Sequence, residues 1–256
     1  GIVSCLINAK KRIGFQYDGV WRGCNFTDLL HFQESVKLSG SYFKMTNFIR
    51  EGIDIPIEPL KLNIRSEEKA PVDYLLEKGL LRNKNSIIGI NINASELCLM
   101  RRWPKEYFVP LAEELIRLYS SHIIFIGSLD DFNYVDTAIN LINYKARPNV
   151  HNFAGKTSLG QLVYLMSKFR LFISNDSGPL HLAVYLRIPS ISFFGPETPL
   201  IYGPEGEKDI VFYKNSSCSP CIRIKNYKSV SCNNNRCLKD IKPYEVIDEI
   251  RRKKLL

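Results

Sequence analysis

Apolar and polar positions change register repeatedly along the last two thirds of the chain. From residue 84 onward, short apolar runs alternate with amphipathic stretches. Residues 86–92 form an apolar run with no alternation, as a strand buried on both faces would. Residues 104–119 place Tyr107, Leu111, Leu115 and Leu118 at helical spacing, with Pro104 suited to the first turn. Residues 122–127 predict a second strand. Residues 130–144 predict a second helix, with Val135, Ala138, Ile139 and Ile142 on one face. A short strand at 150–153 follows, and Ser158 opens a helix through Leu162, Leu165 and Met166. A strand at 170–174, a short helix at 180–186 and a strand at 189–194 complete the series. Such alternation predicts a parallel sheet covered on both faces, the doubly wound α/β plan. The tail, residues 244–254, predicts a helix with a basic end that packs Val246, Ile247 and Ile250 on the core.

The first 65 residues differ. They hold Gly14, Gly19 and Gly23, a polar and aromatic stretch at 15–25, and one helical segment at about 29–51. This is too little for an independent α/β domain, so residues 1–65 are expected to be the tail of another domain plus a linker around Pro56 and Pro59. Residues 66–256 are expected to form the second domain.

Composition narrows the function classes. The chain has 256 residues, 45% hydrophobic and 24% charged, which is ordinary globular usage. No run approaches the roughly 20 apolar residues of a membrane span. Residues 1–7 are too short for a secretory signal, and the first residue is Gly1, so a processed or incomplete chain in the cytoplasm is expected. The net charge of +9 favours anionic partners: nucleic acid, phosphorylated substrates or an acidic membrane surface. Seven cysteines fit a reducing compartment without structural disulfides. Cys5, Cys24 and Cys98 are scattered; Cys218, Cys221, Cys232 and Cys237 are clustered. The cluster has one good ligand pair for zinc, Cys218-x2-Cys221, and Arg223, Lys225, Lys228 and Arg236 lie among it. It reads equally as a reduced, partly buried loop.

In a parallel sheet, ligands sit beyond the carboxyl ends of the strands. Four loops leave such ends: 93–104, 128–131, 175–178 and 195–199. The third, Asn175-Asp176-Ser177-Gly178, is the most informative. Ser177 can cap the following helix, Gly178 lets a ligand approach the backbone, and the free N–H groups there favour a phosphate. His181 can donate to a phosphate or a sugar hydroxyl, and Arg101 and Arg102 can neutralise a diphosphate. Simple helix capping, a packed histidine and two solvated arginines account for the same residues.

The segment Asn175-Asp176-Ser177-Gly178-Pro179-Leu180-His181-Leu182-Ala183, followed by Ile188-Pro189 and Phe193-Phe194-Gly195-Pro196, resembles the signature of the ADP-heptose:lipopolysaccharide heptosyltransferases, glycosyltransferase family 9. Arg101-Arg102-Trp103-Pro104 resembles the family's Lys-Arg-Trp-Pro element, and Gly155-Lys156-Thr157-Ser158-Leu159 its Gly-x-Thr-Ser-Leu stretch. The cysteine cluster with Leu238 and Ile241-Lys242-Pro243 resembles its C-terminal segment, and the match reaches weakly back to Arg12-Ile13-Gly14. The resemblance implies an α/β fold of the two-lobed GT-B type. It would comprise a complete C-terminal Rossmann-like donor domain and a partial N-terminal acceptor lobe. It implies transfer of a heptose, with inversion, from ADP-heptose to a lipopolysaccharide core. No cofactor, metal or nucleic acid is expected, and peripheral contact with the inner membrane is. By resemblance Ser177 and Gly178 hold the diphosphate, Asp176 and His181 contact sugar or diphosphate, Arg101 replaces a family Lys, and Asp130 or Asp131 approaches the ribose. Glu197 departs from a family Thr. The family's general base, an Asp early in the first lobe, has no counterpart here, so the chain is expected to bind donor and transfer poorly. A non-catalytic sugar-nucleotide-binding protein is the second expectation, and a zinc-containing nucleic-acid-binding protein the third.

Overall fold

In the computed structural model the described residues are 9–17, 26–50, 62–79, 81, 86–223, 230 and 232–256. Cys5, Cys24, Gly19, Gly23, Pro56, Pro59, Lys225 and Lys228 lie outside them. Among the described residues the first elements are a pair of parallel strands, β1 (Ile13–Gln16) and β2 (Asp28–His31), followed by helices α1 (Leu38–Ile49) and α2 (Ser66–Lys78). The main body then runs β3 (Ile87–Asn91), α3 (Lys105–Tyr119), β4 (His122–Phe125), α4 (Phe132–Ile139), β5 (Val150–Asn152), α5 (Leu159–Met166), β6 (Leu171–Asn175), α6 (Gly178–Tyr185), β7 (Ser190–Phe194), α7 (Pro199–Tyr202), β8 (Ile210–Tyr213), α8 (Arg236–Lys239) and α9 (Pro243–Lys253).

Among the described residues six strands form one sheet in the order β5-β4-β3-β6-β7-β8, every pair parallel. Every residue of β3, β6 and β7 is buried, including Ser190 and Ser192 of β7, as in a parallel sheet covered on both faces. Gly89 in β3 leaves room for the Phe169 ring, with which a Cβ there would clash. One apolar cluster gathers β3, α3, α4 and α9 through Ile88, Leu111, Leu115, Val135 and Ile250. The other gathers α2, α5 and the opposite strand faces through Val72, Leu76, Leu165, Phe169 and Phe172. Chain order runs outward from β3 on one side and from β6 on the other. Between these two strands lies the switch point at which open α/β sheets bind ligands.

Three expected elements differ. The predicted helix at about 29–51 begins with a strand: Leu29, Leu30 and His31 pair with Gly14, Phe15 and Gln16, and the helix starts only at Leu38. A long-range pairing overrides the local pattern there. The helix predicted over 130–144 stops at Ile139. Arg147 then donates to the carbonyls of Asn140 and Ile142, and Asn143 N–H to Glu113, so the chain turns with its polar groups satisfied. Pro104 is the N-cap of α3, one residue before the first turn. Ser158 caps α5 as expected, in a capping box with Gln161. Val246, Ile247 and Ile250 of α9 are buried against α3, as expected.

At the β4–β5 edge the rings of His122 and His151 stack at 5.9 Å. Burial first, then the His122 and Lys156 charges, lowers the His151 pKa to about 4. The unfolded chain therefore binds more protons than the folded one between an ordinary histidine pKa of about 6.5 and 4. The resulting stabilisation is complete above pH 6.5 and declines as pH falls toward 4. Melting temperatures measured across this interval are expected to fall with pH, and His151→Phe to flatten that slope; an unchanged slope would remove His151 as its source.

Candidate functional site

Parallel strands bring their carboxyl ends to one edge, and there the loops after β3, β4, β5, β6 and β7 enclose a cleft of about 800 Å³. Its size suits a small-molecule ligand. Three asparagines weld the loops together. Asn175 accepts from Trp103 N–H at 2.8 Å and donates to Ile92 O at 2.9 Å, joining β6 to β3. Asn91 Nδ2 donates to Ser177 Oγ at 2.9 Å. Asn93 Nδ2 donates to Asn91 Oδ1 and Ile126 O, both at 3.1 Å, joining β3 to β4. Side-chain networks of this kind fix loop positions before any ligand arrives.

Of the residues singled out from the sequence, Arg101, Asp130, Asp131, Asp176, Ser177, Gly178 and His181 line the cleft. Arg101 donates to Asp176 Oδ2 at 3.1 Å, holding the guanidinium over the β6 loop. Its Nε is buried and has no hydrogen-bond partner in the protein. A Cβ added to Gly178 meets nothing within 4 Å, so the backbone at the start of α6 is open to a ligand. Asp131 accepts from the N–H and hydroxyl of Ser128 at 2.9 and 2.7 Å, closing the β4 loop, while Asp130 is exposed at its tip.

Two expected ligand contacts are placed elsewhere. Arg102 turns away from the cleft to lie over the Tyr134 ring, 4.3 Å from its centroid and 3.8 Å from Asp131. Asn175 is fully buried and spends its amide on backbone. Ser177 occupies the N-cap of α6, but its hydroxyl makes no cap bond; it engages Asn91 and Ser174. Asn93, at the start of the first expected loop, lines the cleft, and so do residues that sequence reasoning missed: Asn91, Leu38 and Tyr202. Asn91 carried a signal, as a polar residue closing an apolar strand; Leu38 and Tyr202 carried none. Glu197 lines the cleft as well and is 5% exposed.

The four clustered cysteines line a separate cavity of about 660 Å³. Burial, then the neighbouring Cys221 thiol, pushes Cys237 up to about 11, and burial raises Cys221 too. Among the described residues no group of three or more His, Cys, Asp or Glu is drawn together to hold a metal ion. No helix among the described residues is long and apolar enough to cross a membrane.

Comparison with known proteins adds to this geometry. The family model described as glycosyltransferase family 9 (heptosyltransferase) matches residues 2–230. Lipooligosaccharide heptosyltransferase 2 of Campylobacter jejuni is 27% identical over 213 residues, 82% of this chain and 63% of that protein. The chain thus spans less than two thirds of that relative's length. The solved structure of E. coli ADP-heptose lipopolysaccharide heptosyltransferase II superposes with a TM-score of 0.68 at 22% identity, over 93% of this chain and 69% of the other. A glycosyltransferase family 9 structure from Veillonella parvula gives a TM-score of 0.69 at 23% identity, over 89% and 63%. The fold is accordingly of the GT-B type expected from the sequence.

Proposed function

The chain belongs to glycosyltransferase family 9, the heptosyltransferases, and from that premise we propose that its cleft binds ADP-heptose and presents the heptose for transfer to a lipopolysaccharide core. One observation carries the reading: a buried, partnerless donor, Arg101 Nε, shares the cleft with an open helix start at Gly178. Both call for an acceptor-rich anion, and a diphosphate supplies it. The diphosphate would lie over Ser177 and Gly178, with Arg101 against its oxygens and Asp176 holding the guanidinium in place. The acidic β4 loop would take the ribose, and His181 the sugar or the diphosphate.

The chemistry follows from charge. The acceptor hydroxyl oxygen attacks the anomeric carbon as the bond to the diphosphate oxygen breaks, and ADP leaves with the developing negative charge. Arg101 and the α6 amides stabilise that charge as it forms, and a base takes the hydroxyl proton. The net charge of +9 and the exposed basic residues Arg252, Lys253 and Lys254 at the end of α9 suit an anionic acceptor at the cytoplasmic face of the inner membrane.

Acceptor-dependent release of ADP from ADP-heptose tests the reading. Asp176→Ala is expected to lower the release rate by about a hundredfold, because Arg101 loses its anchor beside the departing diphosphate. Equal rates in both proteins, or no binding of ADP-heptose by wild type, would contradict it.

A further inference from the structure

Asn93 is 5% exposed, lines the cleft, and its Oδ1 is buried without a hydrogen-bond partner in the protein. Its amide is fixed the way round that leaves this oxygen free. Nδ2 must donate, and it does so to Ile126 O at 3.1 Å and Asn91 Oδ1 at 3.1 Å; Asn91 Oδ1 also accepts from Asn93 N–H at 3.2 Å. Turning the amide over would set oxygen against two oxygens. A buried acceptor left unsatisfied destabilises a fold, so its place in a ligand cleft points to a partner that arrives with the ligand.

The chemistry of that partner is constrained. Oδ1 only accepts, so it needs a hydroxyl or an amine, and a diphosphate, being all acceptors, cannot satisfy it. Its position narrows the choice further. The Gly127 backbone packs against the Asn93 amide, and Asp131 packs against Gly127, so Asn93 belongs to the β3–β4 half of the cleft. Arg101 with Gly178 marks the diphosphate half, toward β6. In dinucleotide-binding doubly wound sheets a carboxylate beyond the phosphate-binding turn binds a ribose hydroxyl. Here the loop after β4, beside Asn93, carries Asp130 and Asp131.

We propose that Asn93 is a specificity-determining residue whose Oδ1 accepts a hydrogen bond from a ribose hydroxyl of the bound nucleotide. This rests on the donor-binding reading above and deepens it: the site reads the nucleoside's sugar through a neutral amide as well as through carboxylate.

Calorimetric titrations of wild type and Asn93→Leu with ADP, 2′-deoxy-ADP and 3′-deoxy-ADP test it. Wild type is expected to bind one deoxy analogue about tenfold more weakly than ADP. In Asn93→Leu that ratio is expected to shrink below about twofold, because acceptor and donor form one pair and removing either leaves nothing for the other to contribute. Only the ratio is read, since leucine also removes the bonds to Ile126 and Asn91 and can weaken all three ligands together. Asn93→Ala gives the same comparison with a smaller side chain if the leucine variant does not fold. Equal weakening of all three nucleotides, retained discrimination in the variants, or no discrimination by wild type would overturn the role of Asn93 while leaving donor binding intact. Failure of wild type to bind ADP at all would overturn the donor-binding reading, and the inference with it.

Discussion

Gly178→Trp is expected to lower ADP affinity by more than about a hundredfold while leaving the protein folded, because filling the site removes essentially all of a micromolar binding energy. The reason lies in the empty space over this residue. A Cβ at Gly178 meets no atom within 4 Å, so an indole projects into the cleft and not into the core. Gly178 is the first residue of α6, where a side chain breaks no helical bond. The ring would occupy the volume assigned to the diphosphate, between the start of α6 and Arg101. Calorimetry and thermal melting on the same sample separate the two effects. Unchanged ADP affinity would remove the diphosphate from above Gly178, and a collapsed melting temperature would mean that the open space is not solvent.

Trp103→Ala is expected to be the most damaging single core substitution, at about 3–5 kcal/mol for a fully buried large aromatic. Trp103 is 0% exposed, stacks on Phe193 at 4.2 Å and meets Phe108 edge-on at 4.7 Å. Its Nε1–H donates to Ile241 O at 3.0 Å, so truncation also strands a buried carbonyl, at a further cost of about 1–3 kcal/mol. The residue ties β7, α3 and the segment before α9 together next to the cleft. Its own N–H is held by Asn175, one residue before Asp176. Donor affinity is therefore expected to fall along with stability. Urea unfolding monitored by circular dichroism would measure the loss. A change below about 1 kcal/mol would mean that the stack is not an anchor.

The central strands β3 and β6 were legible because they are buried on both faces and so announce themselves as apolar runs, at 86–92 and 170–174, whereas the half-buried edge strand β8 was not foreseen. The convergence of loops followed from parallel pairing alone, and it brought Arg101, Asp130, Asp131, Asp176, Gly178 and His181 to one cleft. The roles of neighbours within a motif were not legible. Arg101 and Arg102 are adjacent and alike in chemistry, yet the backbone sends one toward Asp176 and the other over Tyr134. Asn175 reads as a ligand residue in the motif and serves as a brace, because its amide meets Trp103 N–H and Ile92 O across strands that only the fold brings together. The β2 strand was hidden for the same reason: its partner, β1, lies on the far side of residues 18–25 and shares no local pattern with it.

Calorimetric titration of the chain with ADP, UDP and GDP asks whether this cleft holds a nucleoside diphosphate. ADP is expected to bind at one site per chain, tighter than UDP or GDP and weakened by about tenfold or more in Asp176→Ala, which frees Arg101 from its anchor. Absence of binding by all three nucleotides, or ADP binding indifferent to Asp176, would contradict it.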